Sequence, residues 1–275
     1  MNKRKMMIGA IVLCALGTAA GYAYMENVYL EAAKQQEAAI NANWDAWEKV
    51  KSHEQFIVRT AAYSKLLAAQ PPRIEINLAS RLLSLYMEGH RVRLYPVAVG
   101  SASTPSPTGE FTIVYKEVNP VWVNPKKKEV KVPSGPANPL GYRWMGIGGN
   151  YGIHGTNMPW SIGHSVSNGC IRMHEEDVEE LFSLVNRDTL VKIYYDRLVL
   201  EPQGNDLVNC YIYEDHYGWE DLDSQKVRQK FAEIGYTPMV SDAEINSHIE
   251  SSDGQLWPVK VTKYVAPATP PAVQK

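Results

Sequence analysis

Phenylalanine is scarce in this 275-residue chain: there are four, against 16 tyrosines and 7 tryptophans. Most of its aromatic rings therefore carry a polar edge, which suits β-surfaces and wet clefts. Neither charge is in excess. The 28 basic and 30 acidic residues leave a formal net charge of −2, which gives no nucleic-acid footprint. No internal repeat is present. Hydrophobic residues at 45% and charged residues at 21% lie near the globular average, which excludes a mostly disordered, collagen-like or multi-span membrane chain. The length allows one or two domains with a full core. Cysteine is limited to three positions, 14, 170 and 210.

The long uncharged run lies at the start. Lys3, Arg4 and Lys5 precede 19 residues without a charge, Met6 to Tyr24. A basic cluster followed by an apolar stretch is what export requires, so residues 1–25 read as a signal peptide or a membrane anchor. Thr18-Ala19-Ala20 and Gly21-Tyr22-Ala23 are small-residue cleavage sites. The length approaches that of a spanning helix, and the reading leans to an uncleaved anchor with its basic end in the cytoplasm. Leu13 before Cys14 is too large for a lipobox. The expected location is periplasm or cell wall, tethered to the cytoplasmic membrane if residues 6–24 are retained. Of the cysteines, only Cys170 and Cys210 would be exported, and such a pair reads first as a disulfide. The surroundings of Cys170 argue against that.

Ile40, Trp44 and Trp47 recur at helical spacing, so residues 26–72 are expected to form a helical stalk or cap ending at Pro71-Pro72. From Arg73 the pattern turns to strands. Ile74, Ile76 and Leu78 alternate with other residues, as do Leu83 and Leu85, then Val92 and Leu94, with Glu88-Gly89-His90 as a hairpin turn. One strand is expected through Phe111, Ile113 and Tyr115. Residues 119–141 carry five prolines and read as a long excursion. Trp144 to Ile153 returns to β. Val178, Leu181, Phe182 and Val185 mark a short helix, and a strand closes residues 73–196 as a mainly antiparallel β domain. Residues 197–264 read as a small α/β appendage. It has a strand through Val208, Cys210 and Ile212, a helix through Val227, Phe231 and Ile234, and a capping box at Ser241-Asp242-Ala243-Glu244. Residues 265–275 are Pro-rich and expected to be disordered.

The chemistry concentrates in Tyr151-Gly152-Ile153-His154-Gly155-Thr156-Asn157 and Ser167-Asn168-Gly169-Cys170-Ile171-Arg172-Met173. A cysteine after glycine and just before a helix is the setting of an activated thiol. A helix starting near Met173 would aim its N-terminal dipole at the sulfur, and a neighbouring histidine would lower the thiol pKa. Gly169 permits a strained turn, and the N–H groups of Cys170 and its neighbours offer an oxyanion hole. His154 is the residue type for the base. His154, His164, Cys170 and His174 are all ligand types, but their spacing matches no common zinc signature. The basic run Lys126, Lys127, Lys128 and Lys131 reads as a solvated hairpin tip, with a flap attracting anionic polymer as the sharper alternative.

These two segments resemble the signature of the L,D-transpeptidase (YkuD-like) catalytic domain. That signature is a His-Gly-Thr-type segment, about 14–17 residues, then Ser or Thr, His or another residue, Gly, Cys, a hydrophobic residue and Arg or Asn. The resemblance extends over about 73–196, through Arg73–Arg81, Tyr95–Gly100, Thr104–Gly109 and Pro139–Met145. It implies a mainly β, sandwich-like domain with one short helix after the nucleophile. It also implies an acyl-enzyme mechanism without cofactor, on peptidoglycan stem peptides. Cys170 would attack the carbonyl of a tetrapeptide stem, releasing the terminal D-Ala. An amine of another stem or of a protein would then take the acyl group. His154 would be the base, the Gly155 carbonyl would orient its ring, and Arg172 would grip a substrate carboxylate. Ser167 would polarise the turn. The residue before Gly169 is often His in the family and is Asn168 here, whose side chain still donates. Carbapenems would trap the thiol. The expected form is a monomer with no nucleic-acid partner. Two alternatives stand beside the transpeptidase: an L,D-carboxypeptidase, in which water replaces the amine, and a catalytically silent peptidoglycan-binding protein.

Overall fold

The computed structural model describes residues 71–265 apart from Lys126. The expected N-terminal segment, helical stalk and terminal tail lie outside the described residues, save positions 71, 72 and 265. Among the described residues, no helix is long and apolar enough to cross a membrane. The described chain divides into two compact units. One holds 71–196 and 215–219, and the other holds 197–214 and 220–265.

The first unit runs β1 (Arg73–Asn77), β2 (Leu82–Met87), β3 (His90–Pro96), β4 (Val99–Gly100), β5 (Gly109–Thr112), β6 (Tyr115–Val118), β7 (Trp122–Val123), β8 (Lys131–Val132), β9 (Arg143–Gly148), β10 (Tyr151–His154), β11 (Ser165–Ser167), β12 (Ile171–Arg172), α1 (Glu175–Leu184) and β13 (Leu190–Tyr194). Two sheets dominate, ordered β3-β2-β1-β13-β5 and β12-β10-β9-β6, with β11-β4 and β7-β8 as two-stranded pairs. The mainly β architecture matches the expectation. Most pairs are antiparallel, but β1–β13, β10–β12 and β11–β4 are parallel.

Alternation builds the core. Ile74 and Ile76 of β1, Leu83 and Leu85 of β2, and Met145 and Ile153 of the second sheet are fully buried. Val178 and Leu181 of α1, with Val185 just beyond it, complete the same cluster. Each side chain of this size contributes about 1.5–3 kcal/mol when removed from water. The tight β2–β3 hairpin depends on left-handed backbone at Glu88 (φ 49°) and Gly89 (φ 80°), the geometry of a two-residue turn that follows strand twist.

The structure corrects one expected strand. Residues 109–118 form two strands in different sheets: β5 pairs with β13, and β6 pairs with β9. Fully buried Ile113 is the corner, its N–H bonded to Thr189 O while Val114 N–H bonds to Gly146 O. Alternation of apolar residues continues through the corner, so the sequence pattern does not register it. The excursion from 119 is knitted by Asn138, whose buried amide donates to Pro120 O at 2.7 Å and whose Oδ1 accepts from Leu140 N.

The second unit has β14 (Leu198–Gly204), β15 (Leu207–Ile212), α2 (Ser224–Glu233), β16 (Tyr236–Pro238), α3 (Asp242–Ser251) and β17 (Trp257–Lys263), with sheet order β14-β15-β17-β16. Ser241 caps α3 by accepting from Glu244 N at 3.2 Å. Val227 and Phe231 of α2 pack with Val208 and Cys210 of β15.

Candidate active site

Register places the charged and aromatic groups in one row. Trp144 of β9 faces His154 of β10, and His154 faces Arg172 of β12. The Trp144 and His154 rings stack with centroids 5.3 Å apart. Cys170 stands two residues before Arg172, on the turn that leads into β12, and the Arg172 charge acts on its thiol. The parallel β10–β12 pair thus brings together residues 18 apart in sequence, Ile153 with Ile171 and His154 with Arg172.

His154 is 4% exposed, and its Nδ1 lies 2.6 Å from Gly155 O. A carbonyl only accepts, so Nδ1 carries the proton and Nε2 of the neutral ring keeps its lone pair. Burial lowers the imidazole pKa to about 4; the Gly155 bond opposes this and the Arg172 charge adds to it. The resting ring is a neutral base.

Cys170 sits on the turn between β11 and β12, half-buried. Its thiol donates to Asn150 O at 3.6 Å. Burial raises the thiol pKa, while a backbone hydrogen bond from Gly152 and the Arg172 charge pull it down. The helix starts later than expected. Helix α1 begins only at Glu175, beyond β12, and its first turn holds Glu175, Glu176 and Asp177. Arg172 is half-buried, its own pKa lowered by burial and raised by Cys170.

Ser167 shapes the turn: its buried Oγ donates to Cys170 O at 2.6 Å and accepts from Gly169 N at 3.0 Å. The Gly169 N–H is therefore engaged within the turn, which removes it from the expected set of oxyanion donors. Gly169 has φ 102°, and a Cβ there would lie 2.6 Å from Tyr151 Cε1. Both facts demand glycine. Asn168 is exposed beside it.

His174 is the N-cap of α1, without a side-chain capping bond. Trp160 lies on the short 3-10 turn Pro159–Ser161 and is 70% exposed, while Trp122 is half-buried in β7. Among the described residues, no group of three or more His, Cys, Asp or Glu side chains is placed to hold a metal ion. Cys170 and Cys210 are both free.

Sequence reasoning missed the β9–β10 hairpin as a cradle. Asn150 O, the Gly152 backbone and the Tyr151 ring surround the nucleophile's turn. Its signal was the run Gly148-Gly149 followed by Gly152, where a Cβ would meet Trp144 Cζ2 at 2.5 Å. Glu175 was also missed. It accepts from Thr156 N at 2.7 Å and Tyr142 N at 3.0 Å, and nothing in an ordinary acidic helix start announces that.

The L,D-transpeptidase catalytic domain (YkuD) family matches residues 71–193. YkuD of Bacillus licheniformis, named for this activity, is 44% identical over 124 residues, 45% of this chain and 66% of that protein. The matched region thus spans just under two thirds of that relative. YqjB of Bacillus subtilis, named likewise, is 38% identical over 136 residues, 47% of this chain and 75% of its own length. YcfS of Escherichia coli, also named as an L,D-transpeptidase, is 31% identical over 221 residues, covering 71% of this chain and 68% of that protein.

Proposed function

This chain belongs to the L,D-transpeptidase family, and from that premise we propose that it acts on peptidoglycan as an exported L,D-transpeptidase with Cys170 as nucleophile. The observation that carries this reading is the Nδ1 bond of His154 to Gly155 O at 2.6 Å, which leaves Nε2 as the acceptor on a strand paired with the one that follows Cys170. A binding protein has no need of a base held in one tautomer beside a thiol.

The donor is a tetrapeptide stem. Cys170 Sγ attacks the carbonyl at the L-centre of the diamino acid while His154 Nε2 takes the thiol proton. Burial disfavours the charged form of both groups, so proton transfer accompanies attack instead of preceding it as an ion pair. The carbonyl oxygen becomes an oxyanion, for which the Cys170 N–H is a backbone donor on the turn. The C–N bond to D-Ala breaks, His154 returns the proton to the leaving amine, and a thioester remains. An acceptor amine then attacks the thioester, gives its proton to His154 and forms an amide. The thiolate leaves and is reprotonated. Arg172, half-buried and beside the sulfur, supplies positive charge to a donor carboxylate.

Residues 73–196 form the catalytic part in this reading and 197–264 an appendage. Residues 1–25 direct export, with Met6–Tyr24 as the membrane tether. One chain supplies every group named, so a monomer suffices. Incubating the purified protein with disaccharide-tetrapeptide and following products by mass tests the reading. Loss of D-Ala with a dimeric 3-3 product is expected. Hydrolysis alone would favour a carboxypeptidase, and no reaction would leave a silent binder.

A further inference from the structure

Gly155 O and Thr156 N–H belong to one peptide group, and each end is held. The carbonyl accepts from His154 Nδ1 at 2.6 Å, and the N–H donates to Glu175 Oε1 at 2.7 Å. We propose that Glu175 is a positioning residue for the imidazole, acting through the Gly155–Thr156 peptide group as the carboxylate of a His-carboxylate pair acts directly. The proposal rests on the assignment of His154 as the base.

Three observations converge. The first is the chain of two short hydrogen bonds through one planar, resonance-coupled unit. A charged acceptor on the N–H increases negative charge on the carbonyl oxygen, and bonds in such a chain strengthen one another. The second is the fit of the carboxylate. Its other oxygen accepts from Tyr142 N at 3.0 Å, so both oxygens are fixed by backbone donors from separate loops. The third is steric. A Cβ at Gly141 or at Gly155 would overlap the Glu175 carboxylate. Two loops thus lack side chains where this group sits, and any substitution at Gly155 would displace the carboxylate and the peptide together.

The carboxylate is half-buried at the first turn of α1. Burial and the neighbouring Glu179 raise its pKa, while the bonds from Tyr142 and Thr156 and the charge of Arg143 lower it. Arg143 itself pairs with Glu179 at 3.0 Å. On the His154 side the flanking groups are Trp144 and Arg172, and Arg172 disfavours a charged ring. When His154 takes the thiol proton it becomes a cation beside Arg172. The Glu175 charge, delivered through the peptide, offsets that repulsion at the moment it arises. Its effect should fall on kcat and leave donor binding alone.

Glu175→Gln removes the charge and keeps one acceptor of the same reach, while its amide nitrogen cannot accept the second backbone N–H. In the full-length protein we expect kcat for the tetrapeptide donor to fall about tenfold, one pKa unit of imidazolium stabilisation, with KM steady. The His154 Nδ1 proton, buried and in a short bond, should move upfield in the proton NMR spectrum. Glu175→Asp keeps the charge and should retain more of kcat than the Gln variant. An unchanged Nδ1 resonance in Glu175→Gln, or equal losses in the Gln and Asp variants, overturns the proposal in favour of a loop clamp only. If the Gln variant does not fold, the Asp variant decides through the Nδ1 resonance: its shorter carboxylate cannot hold Tyr142 N and Thr156 N together, so a resonance that moves supports the proposal and one that stays overturns it. The NMR signal does not depend on turnover. A wild-type protein inactive on the donor would therefore remove the proposed activity while leaving this bond chain separately readable.

Discussion

The turn carrying Cys170 and the strand carrying Cys210 put the same side chain into two kinds of burial. Cys210 lies wholly inside the second unit, among Val208, Val227, Phe231 and Val259, and burial alone pushes its thiol up to about 12. Cys170 is also desolvated, but a backbone hydrogen bond from Gly152 and the charge of Arg172 work against that burial, and the thiol has a polar partner in Asn150 O. Burial makes a cysteine inert. What distinguishes the first site is what surrounds the sulfur: a glycine-rich hairpin with an asparagine, a cation and a neutral base. Reactivity is a property of the turn, and it can be broken or sharpened one group at a time.

The largest effect should separate the thiols themselves. Cys170→Ala should abolish D-Ala release from the tetrapeptide donor and remove the single carbapenem adduct seen by intact mass. Cys210→Ser should keep both per folded molecule. Retained adduct in Cys170→Ala would move the nucleophile elsewhere. Next comes the base. His154→Gln should lower kcat by about 10²–10⁴-fold, the usual worth of a positioned proton acceptor. A loss below tenfold in steady-state assays would mean that another group takes the proton.

The fold was legible where local chemistry decides it. Alternation marked β1 to β3, Glu88-Gly89 marked their turn, and Ser241 with Glu244 marked the start of α3, because each depends on neighbours in sequence. Across the site the outcome was mixed. The motif named His154 and Cys170, and Gly169 announced its turn. The corner at Ile113, the parallel β10–β12 pairing and the two-loop grip of Glu175 arise from residues far apart, and no window of sequence contains them. The helix starts two residues later than expected, for a related reason. A two-residue strand, β12, pairs with β10 and delays the helix to Glu175, and a strand that short leaves no periodicity to read.

Smaller effects probe how the two sites are built. Gly169→Ala should cost about 1–3 kcal/mol in denaturant unfolding, since φ 102° excludes most side chains. Adding Tyr151→Ala should return only the part due to contact with the ring. Full recovery would show that backbone strain is absent. Cys210→Ser should cost about 1–3 kcal/mol by placing a hydroxyl in an apolar core, read as a lower Tm with unchanged turnover. Asn168→Ala should change kcat by about twofold or less, because the side chain is exposed and Ser167 already shapes the turn. A hundredfold fall with KM steady would make Asn168 an oxyanion donor.

The account stands most directly on the resting state of Cys170, a neutral thiol activated only as it attacks. Alkylation of the native protein by iodoacetamide, followed against pH by peptide-resolved mass spectrometry, reads both thiols in one sample. A thiol pKa raised by burial means that thiolate appears only as pH rises through that raised value. Cys170 labelling should therefore climb through the alkaline range, with a midpoint above that of free cysteine, while native Cys210 stays unlabelled. A Cys170 rate already at its plateau at or below pH 7 would reveal a preformed thiolate–imidazolium pair and contradict the account.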